Sequence, residues 1–234
     1  MTDNIEKMIN IKEASRIVPF LAETDVLVVG SGPAGLSAAL AAAREGVETM
    51  LVERYGCFGG NITQAMVGSI DWYRHEKTVG AGGIGVEFER RAKEMGASQP
   101  DPEGMGELLD TDMFKFVADT LVQEAGIVPL LHCFAVDVIM EDRTIKGIIT
   151  ESKSGRQAIL AKRVIDATGD ADISYLAGAP HHKAPKEELM PVTVGFGCSG
   201  VDVERFLEYV EENPVHLGDW ATETSGKEEN LVGP

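Results

Sequence analysis

The residues most able to do chemistry stand near the start of the chain, in Gly30-Ser31-Gly32-Pro33-Ala34-Gly35. Glycines at this spacing, between an apolar run and a helix, let backbone N–H groups at a helix N-terminus take hold of a diphosphate. Gly30 permits the tight turn, Gly32 keeps a side chain off the phosphates, and Gly35 lets the helix lie against the preceding strand. Pro33 and Ala34 open the helix without adding bulk. An ordinary glycine-rich loop would look the same in isolation, so the flanking elements decide. Glu53 ends the next apolar run, where a carboxylate can accept both hydroxyls of a ribose. Without the glycine motif it would read as a solvated strand-end charge. Arg54 beside it reads equally as a surface residue. An acid at this point disfavours a 2′-phosphate.

Two more segments bear on the same ligand. Phe58-Gly59-Gly60-Asn61 follows directly after Glu53, and paired glycines there suit a chain that passes close to the rest of a dinucleotide, a need of flavin sites more than of nicotinamide ones. The alternative is a flexible turn. Val164-Ile165-Asp166-Ala167-Thr168-Gly169-Asp170 is an apolar strand whose Thr168 and Gly169 return the backbone to the carboxyl edge of a sheet. Asp170 and Asp172 invite a metal or an acid–base pair, but a cap on a helix starting near Ile173 is the better reading.

The surrounding elements must put these residues together. Asp25 to Val29 is a β-branched run suited to a strand buried on both faces, and Ala34 to Glu45 an alanine-rich helix closed by Gly46. Thr49 to Glu53 completes a β–α–β unit. The stretch 55–83 is glycine-rich and reads as irregular. Helices are expected over Ile84–Met95 and, capped by Asp110, over Thr111–Ala125, the second largely buried all round. Pro100-Asp101-Pro102 reads as a surface loop. Strands are expected near Val128–Leu131 and Ala135–Met140, a hairpin over Ile145–Glu151 and Gln157–Leu160, and a separate short strand at Val164–Thr168. Beyond Gly178 the prolines Pro180, Pro185 and Pro191 signal a change, with a strand near Val192–Phe196 and a helix near Val203–Glu212.

The 234 residues carry 21 Lys and Arg against 38 Asp and Glu, a net charge of −17, which argues against nonspecific binding to nucleic acid or to an anionic membrane. The chain shows neither a leader pattern nor an apolar run of membrane-spanning length, and a cytoplasmic location is expected. Cys57, Cys133 and Cys198 are scattered, so no metal site and no disulfide framework is expected.

Taken together, DVLVVGSGPAGLSAALAAAREG, LVERYGCFGGN, EAGIVPLLHCFAVDVI and RVIDATGDADISYLAGAP resemble the FAD-dependent oxidoreductases of the glutathione-reductase-type Rossmann class. Within it, the chain is most similar to the group that includes the flavoproteins of heterodisulfide reductases, from about Arg16 to Glu212. The resemblance implies non-covalent FAD, with Val136 against the adenine through its backbone, Glu53 on the ribose, and Gly60, Asn61 and Gly169 bordering the flavin nucleotide. It implies an α/β fold: a Rossmann-type FAD-binding parallel sheet with a β-hairpin layer and part of a mixed α+β substrate domain. The expected organisation is an arm over 1–24, the FAD-binding domain over 25–178, and a partial substrate domain over 179–234.

The expected function is electron or hydride transfer to or from a small organic substrate. Further partners expected are other copies of the chain in a homo-oligomer, or a redox partner protein. No catalytic side chain is named, since a flavin carries the electrons itself. Arg74-His75 and His181-His182 are candidates for substrate contact, with exposed loop residues as the alternative, and Cys57 is a thiol that could approach the cofactor. Members of the group continue further and close the flavin end with a later glycine-containing segment that nothing after Phe196 resembles. A fragment of a longer flavoprotein is therefore expected. The alternatives are a thiazole-synthase-like enzyme that builds an adenylated product from NAD, and a non-catalytic dinucleotide-binding component of a redox complex.

Overall fold

The computed structural model describes residues 13–71, 82–100, 106–185, 188–189 and 194–213. The chain divides into two compact units, Met1–Val194 and Gly195–Pro234.

In the first unit a six-stranded sheet runs in the order β6-β2-β1-β9-β8-β7. Its parallel part is formed by β1 (Phe20–Val29), β2 (Thr49–Val52), β6 (Val128–Leu130) and β9 (Gly155–Asp166). The strands β7 (Phe134–Glu141) and β8 (Thr144–Ser152) extend it antiparallel. β1 lies at the centre because its apolar residues alternate between two cores. Val28 packs with Leu36 and Leu40 of helix α1 (Pro33–Arg44) and with Phe114, Val117 and Leu121 of helix α4 (Met113–Glu124). Leu27 and Val29 face the other way, with Val52, Ile148, Ile159 and Ile173. A strand buried on both faces is what an unbroken β-branched run permits.

Three expectations change here. β1 begins at Phe20 rather than Asp25, since Phe20 to Thr24 find partners in Ala158 to Ala161 of β9. The strands expected over Gln157–Leu160 and Val164–Thr168 are one strand. The first part of β9 pairs with β8, and from Ala158 to Asp166 it pairs with β1, so the hairpin layer is hydrogen-bonded into the parallel sheet. Helix α4 buries one face instead of its whole circumference, leaving Phe116 60% exposed. Its start is held as expected by Asp110, whose carboxylate accepts from the N–H groups of Asp112 and Met113 at 3.0 and 2.9 Å.

The stretch expected to be irregular contains a short helix α2 (Asn61–Gln64) and a strand β3 (Ser69–Asp71). With β4 (Ser98–Pro100) and β5 (Gly106–Leu109) that strand makes a second, antiparallel sheet in the order β3-β5-β4. Pro100 thus ends a strand, and the rest of the expected 100–102 loop lies outside the described residues. Helix α3 (Ile84–Glu94) packs Phe88 edge-to-face on Phe114, ring centroids 6.1 Å apart. A short helix α5 (Asp172–Leu176) follows β9.

The second unit contains helix α6 (Val203–Glu212), started by the Asp202 carboxylate, which accepts from Arg205 N–H at 3.1 Å. Residues 194–199 have no regular structure, so the expected strand near 192–196 is absent from its described part.

Candidate functional site

The turn from β1 into α1 is built by close contact of backbones. Gly30 has φ +92°, and a Cβ there would overlap the Ala167 carbonyl oxygen at the end of β9. A Cβ on Gly35 would overlap the Gly30 carbonyl. The loop is therefore wedged between strand and helix, with no room for a side chain at either position. Gly32 differs: the nearest atom to a Cβ there is 3.9 Å away, so the space above it belongs to the cleft. Gly32 caps α1 without any side-chain hydrogen bond, Pro33 opens the helix, and no acid stands in its first turn. That leaves the amide end of α1 open towards an anion.

Glu53 follows β2 and is 5% exposed. Its Oε2 accepts from Ser31 N–H at 2.9 Å and from Ser31 Oγ–H at 2.6 Å, and its Oε1 accepts from Tyr55 N–H at 2.9 Å. Its backbone continues the sheet, with Glu53 N–H donating to Leu130 and Cys133 N–H donating to Glu53. The carboxylate is thus locked beside the glycine loop.

Together these residues line a cleft of about 350 Å³ at the carboxyl ends of β1, β2 and β9. Of the positions expected from sequence, Gly30, Gly32, Pro33, Ala34, Glu53, Arg54, Gly60, Asn61, Thr168 and Gly169 line it. Arg54 is exposed and lays its guanidinium over the Tyr55 ring, 4.8 Å from the centroid. Gly35 lies beneath the cleft wall, where its work is helix–strand packing. Val136 does not line the cleft. It sits at an irregularity in the pairing of β7 with β8, and the wall is made by Cys133, Phe134 and Ala135 just before it.

The paired glycines have a different reason than expected. Gly60, at φ +53°, would put a Cβ 2.6 Å from the Gly32 Cα, and Gly59 N–H donates to the Ser31 carbonyl at 2.9 Å. Their close neighbour is the first glycine loop itself.

The far wall is the segment after β9. Asp166 accepts at Oδ1 from Thr168 N–H (3.2 Å) and Oγ–H (2.7 Å), and at Oδ2 from Ser174 N–H and Oγ–H (2.8 Å each). Thr168 Oγ in turn accepts from Asp172 N–H at 2.9 Å. This corrects the expectation that Asp170 and Asp172 cap the helix: α5 has no capping side chain at its N-cap, and the carboxylate that holds its first turn is Asp166. Burial raises the pKa of Asp166, but the hydrogen bonds from Ser174 and Thr168 together outweigh it and hold the group below its ordinary range.

Sequence reasoning missed Ser31, Tyr55, Gln64, the Cys133–Ala135 wall and Asp172. Asp166 had a signal, an acid two residues before a threonine, the pattern of a local turn. Cys57 does not line the cleft and receives a contact from Gln64 Nε2, while Cys133 is buried in the cleft wall. His181 and His182 are exposed, with the His181 ring edge-on to Tyr175. Arg74 and His75 lie outside the described residues. Among the described residues no three His, Cys, Asp or Glu side chains gather as a metal site, and no helix is long and apolar enough to cross a membrane.

Over residues 25–230 the sequence matches the family described as FAD dependent oxidoreductase. The thiamine thiazole synthase of Methanococcus vannielii is 32% identical over 171 residues, 65% of this chain and 59% of that protein. The chain spans 59% to 64% of the length of the Methanococcus relatives it matches. Among solved structures, a myxobacterial chondrochloren halogenase, a variant of FAD-dependent halogenases, superposes with a TM-score of 0.51 at 18% identity, over 67% of this chain and 40% of its own. A flavoprotein/dehydrogenase from Cytophaga hutchinsonii superposes with a TM-score of 0.50 at 19% identity, over 67% and 42%. At these identities the two structures show a shared fold.

Proposed function

The chain belongs to the FAD-dependent oxidoreductase family, with FAD as its cofactor, and on that premise we propose that it binds FAD in the cleft and serves electron or hydride transfer on a small organic substrate in the cytoplasm. The observation that carries this reading is Glu53: a buried carboxylate beside the open amide end of α1, which is what the adenosine half of a dinucleotide requires. A carboxylate has about four acceptor sites, and three donors reach this one, so one site remains and the Ser31 hydroxyl can rotate away to release a second. Two ribose hydroxyls can then be accepted. Amides of the Gly32–Gly35 turn would hold the diphosphate, Gly60 and Asn61 would border it, and Thr168 and Gly169 would carry the nucleotide onward. When bound, FAD supplies the redox chemistry, and the chain contributes binding, orientation and exclusion of water.

A second reading stays open on the relatives: a thiazole-synthase-like enzyme that takes NAD. Denaturing the purified protein and scanning the supernatant separates the two. Free flavin absorbance in proportion to protein supports the first reading, and released nicotinamide-derived nucleotide without flavin supports the second. If the protein neither carries flavin nor binds added FAD saturably, the first reading is wrong. Reduction of the bound flavin by a donor in the absence of any other chain counts against a purely nucleotide-binding component.

A further inference from the structure

We propose that Asp166 is the positioning residue for the far wall of the cleft: it holds Thr168 to Asp172 in the shape that receives FAD, and so sets how tightly FAD binds. This rests on the reading that FAD occupies the cleft. Asp166 itself does not line the cleft, whereas Thr168, Gly169 and Asp172 do.

Four donors meet its four acceptor sites, so its carboxylate is fully committed to the protein. The Thr168 hydroxyl is committed as well, donating to Asp166 and accepting from Asp172 N–H. A ligand therefore meets the backbone of Thr168 and Gly169, and the Thr168 side chain serves to anchor it. The path between them is one a free chain would seldom take, with Gly169 at φ +91° and the non-glycine Ala171 at φ +59°. Asp166 bridges the two sides of this left-handed stretch, from Thr168 before it to Ser174 after it. Removing the bridge frees the stretch to relax, and FAD must then order it on binding.

The test is titration of FAD into FAD-free full-length protein, followed by flavin fluorescence, for wild type, Asp166→Asn, Ser174→Ala, Ser174→Thr and Glu53→Gln. Loss of charge-assisted hydrogen bonds predicts that Asp166→Asn raises the Kd about tenfold to hundredfold. Ser174→Ala should raise it about threefold, and Ser174→Thr, which keeps the hydroxyl, should restore binding. Asp166→Asn combined with Ser174→Ala should fall short of the product of the single effects, whereas Asp166→Asn with Glu53→Gln should reach it, because the two carboxylates serve different walls. Should Asp166→Asn not fold, the two Ser174 variants decide. A Kd within about twofold of wild type for Asp166→Asn and Ser174→Ala, with Glu53→Gln weakened, would overturn the proposal and leave the FAD reading intact. Wild-type affinity in Glu53→Gln as well would overturn both.

Discussion

Two carboxylates flank β1, one beyond the end of β2 and one at the end of β9, and both strands pair with β1. Glu53 takes hydrogen bonds from Ser31 and Tyr55 and lines the cleft, with an acceptor site to spare. Asp166 takes four hydrogen bonds, all from the segment that follows it, and stands behind the cleft. The residue class and sheet position are alike, and the arithmetic of donors separates a group that can meet a ligand from one that shapes its seat. Beneath both lies the glycine wedge, where Gly30 touches the end of β9 and Gly35 touches Gly30.

The comparison breaks most severely if the wedge is filled. Gly35→Ala places a methyl in the Gly30 carbonyl, backbone against backbone, and should cost about 3 kcal/mol or more in denaturant unfolding. A variant as stable as wild type would mean that the helix does not rest on the strand in this way. Next in size is Glu53→Gln, which replaces an ionic acceptor by an amide whose NH2 must face an N–H or O–H donor. FAD affinity should fall about hundredfold, with about 1–2 kcal/mol of stability lost to the buried mismatch. If affinity and stability fell in equal measure, Glu53 would be a wall residue like Asp166 and the contrast would dissolve.

How much of this could be read in advance followed the range of the interactions. The β1–α1–β2 unit, the glycine hexapeptide and Glu53 are signalled locally: a buried strand shows as Asp25 to Val29, and the helix start shows as glycines and Pro33. Long-range pairing left no such trace. β9 looked like two strands because Ala161-Lys162-Arg163 interrupts its apolar pattern, yet Lys162 reaches the surface to pair with Asp25 while the backbone runs on beside β1. The Cys133–Ala135 wall and the Ser31–Glu53 bond depend on strands brought together from distant parts of the chain. The acids Asp170 and Asp172 stood next to the helix and drew attention from Asp166, which reaches it across the turn.

Gly32→Ala sharpens the contrast between wedge and cleft. A Cβ at Gly32 meets nothing closer than 3.9 Å and the backbone there is ordinary, so stability should change by about 0.5 kcal/mol or less. The methyl would stand where the diphosphate is read to lie, and the Kd for FAD should rise about tenfold. Equal affinity would move the diphosphate off this turn.

The smallest effect concerns acid. Asp166 has a folded-state pKa below its ordinary value, so it binds a proton less readily folded than unfolded. Its contribution is therefore fully present above the unfolded value of about 4 and is lost as the pH falls through the folded value. Asp166→Asn should cost about 1 kcal/mol at neutral pH, reduced from the full worth of such bonds because the group is only half-buried. That difference should stay level from about pH 8 to pH 5 and close below about pH 4, as measured by urea unfolding at each pH. A gap that persisted unchanged in acid would show that the carboxylate charge is not what holds the wall, and shape alone would then account for its place at the end of β9.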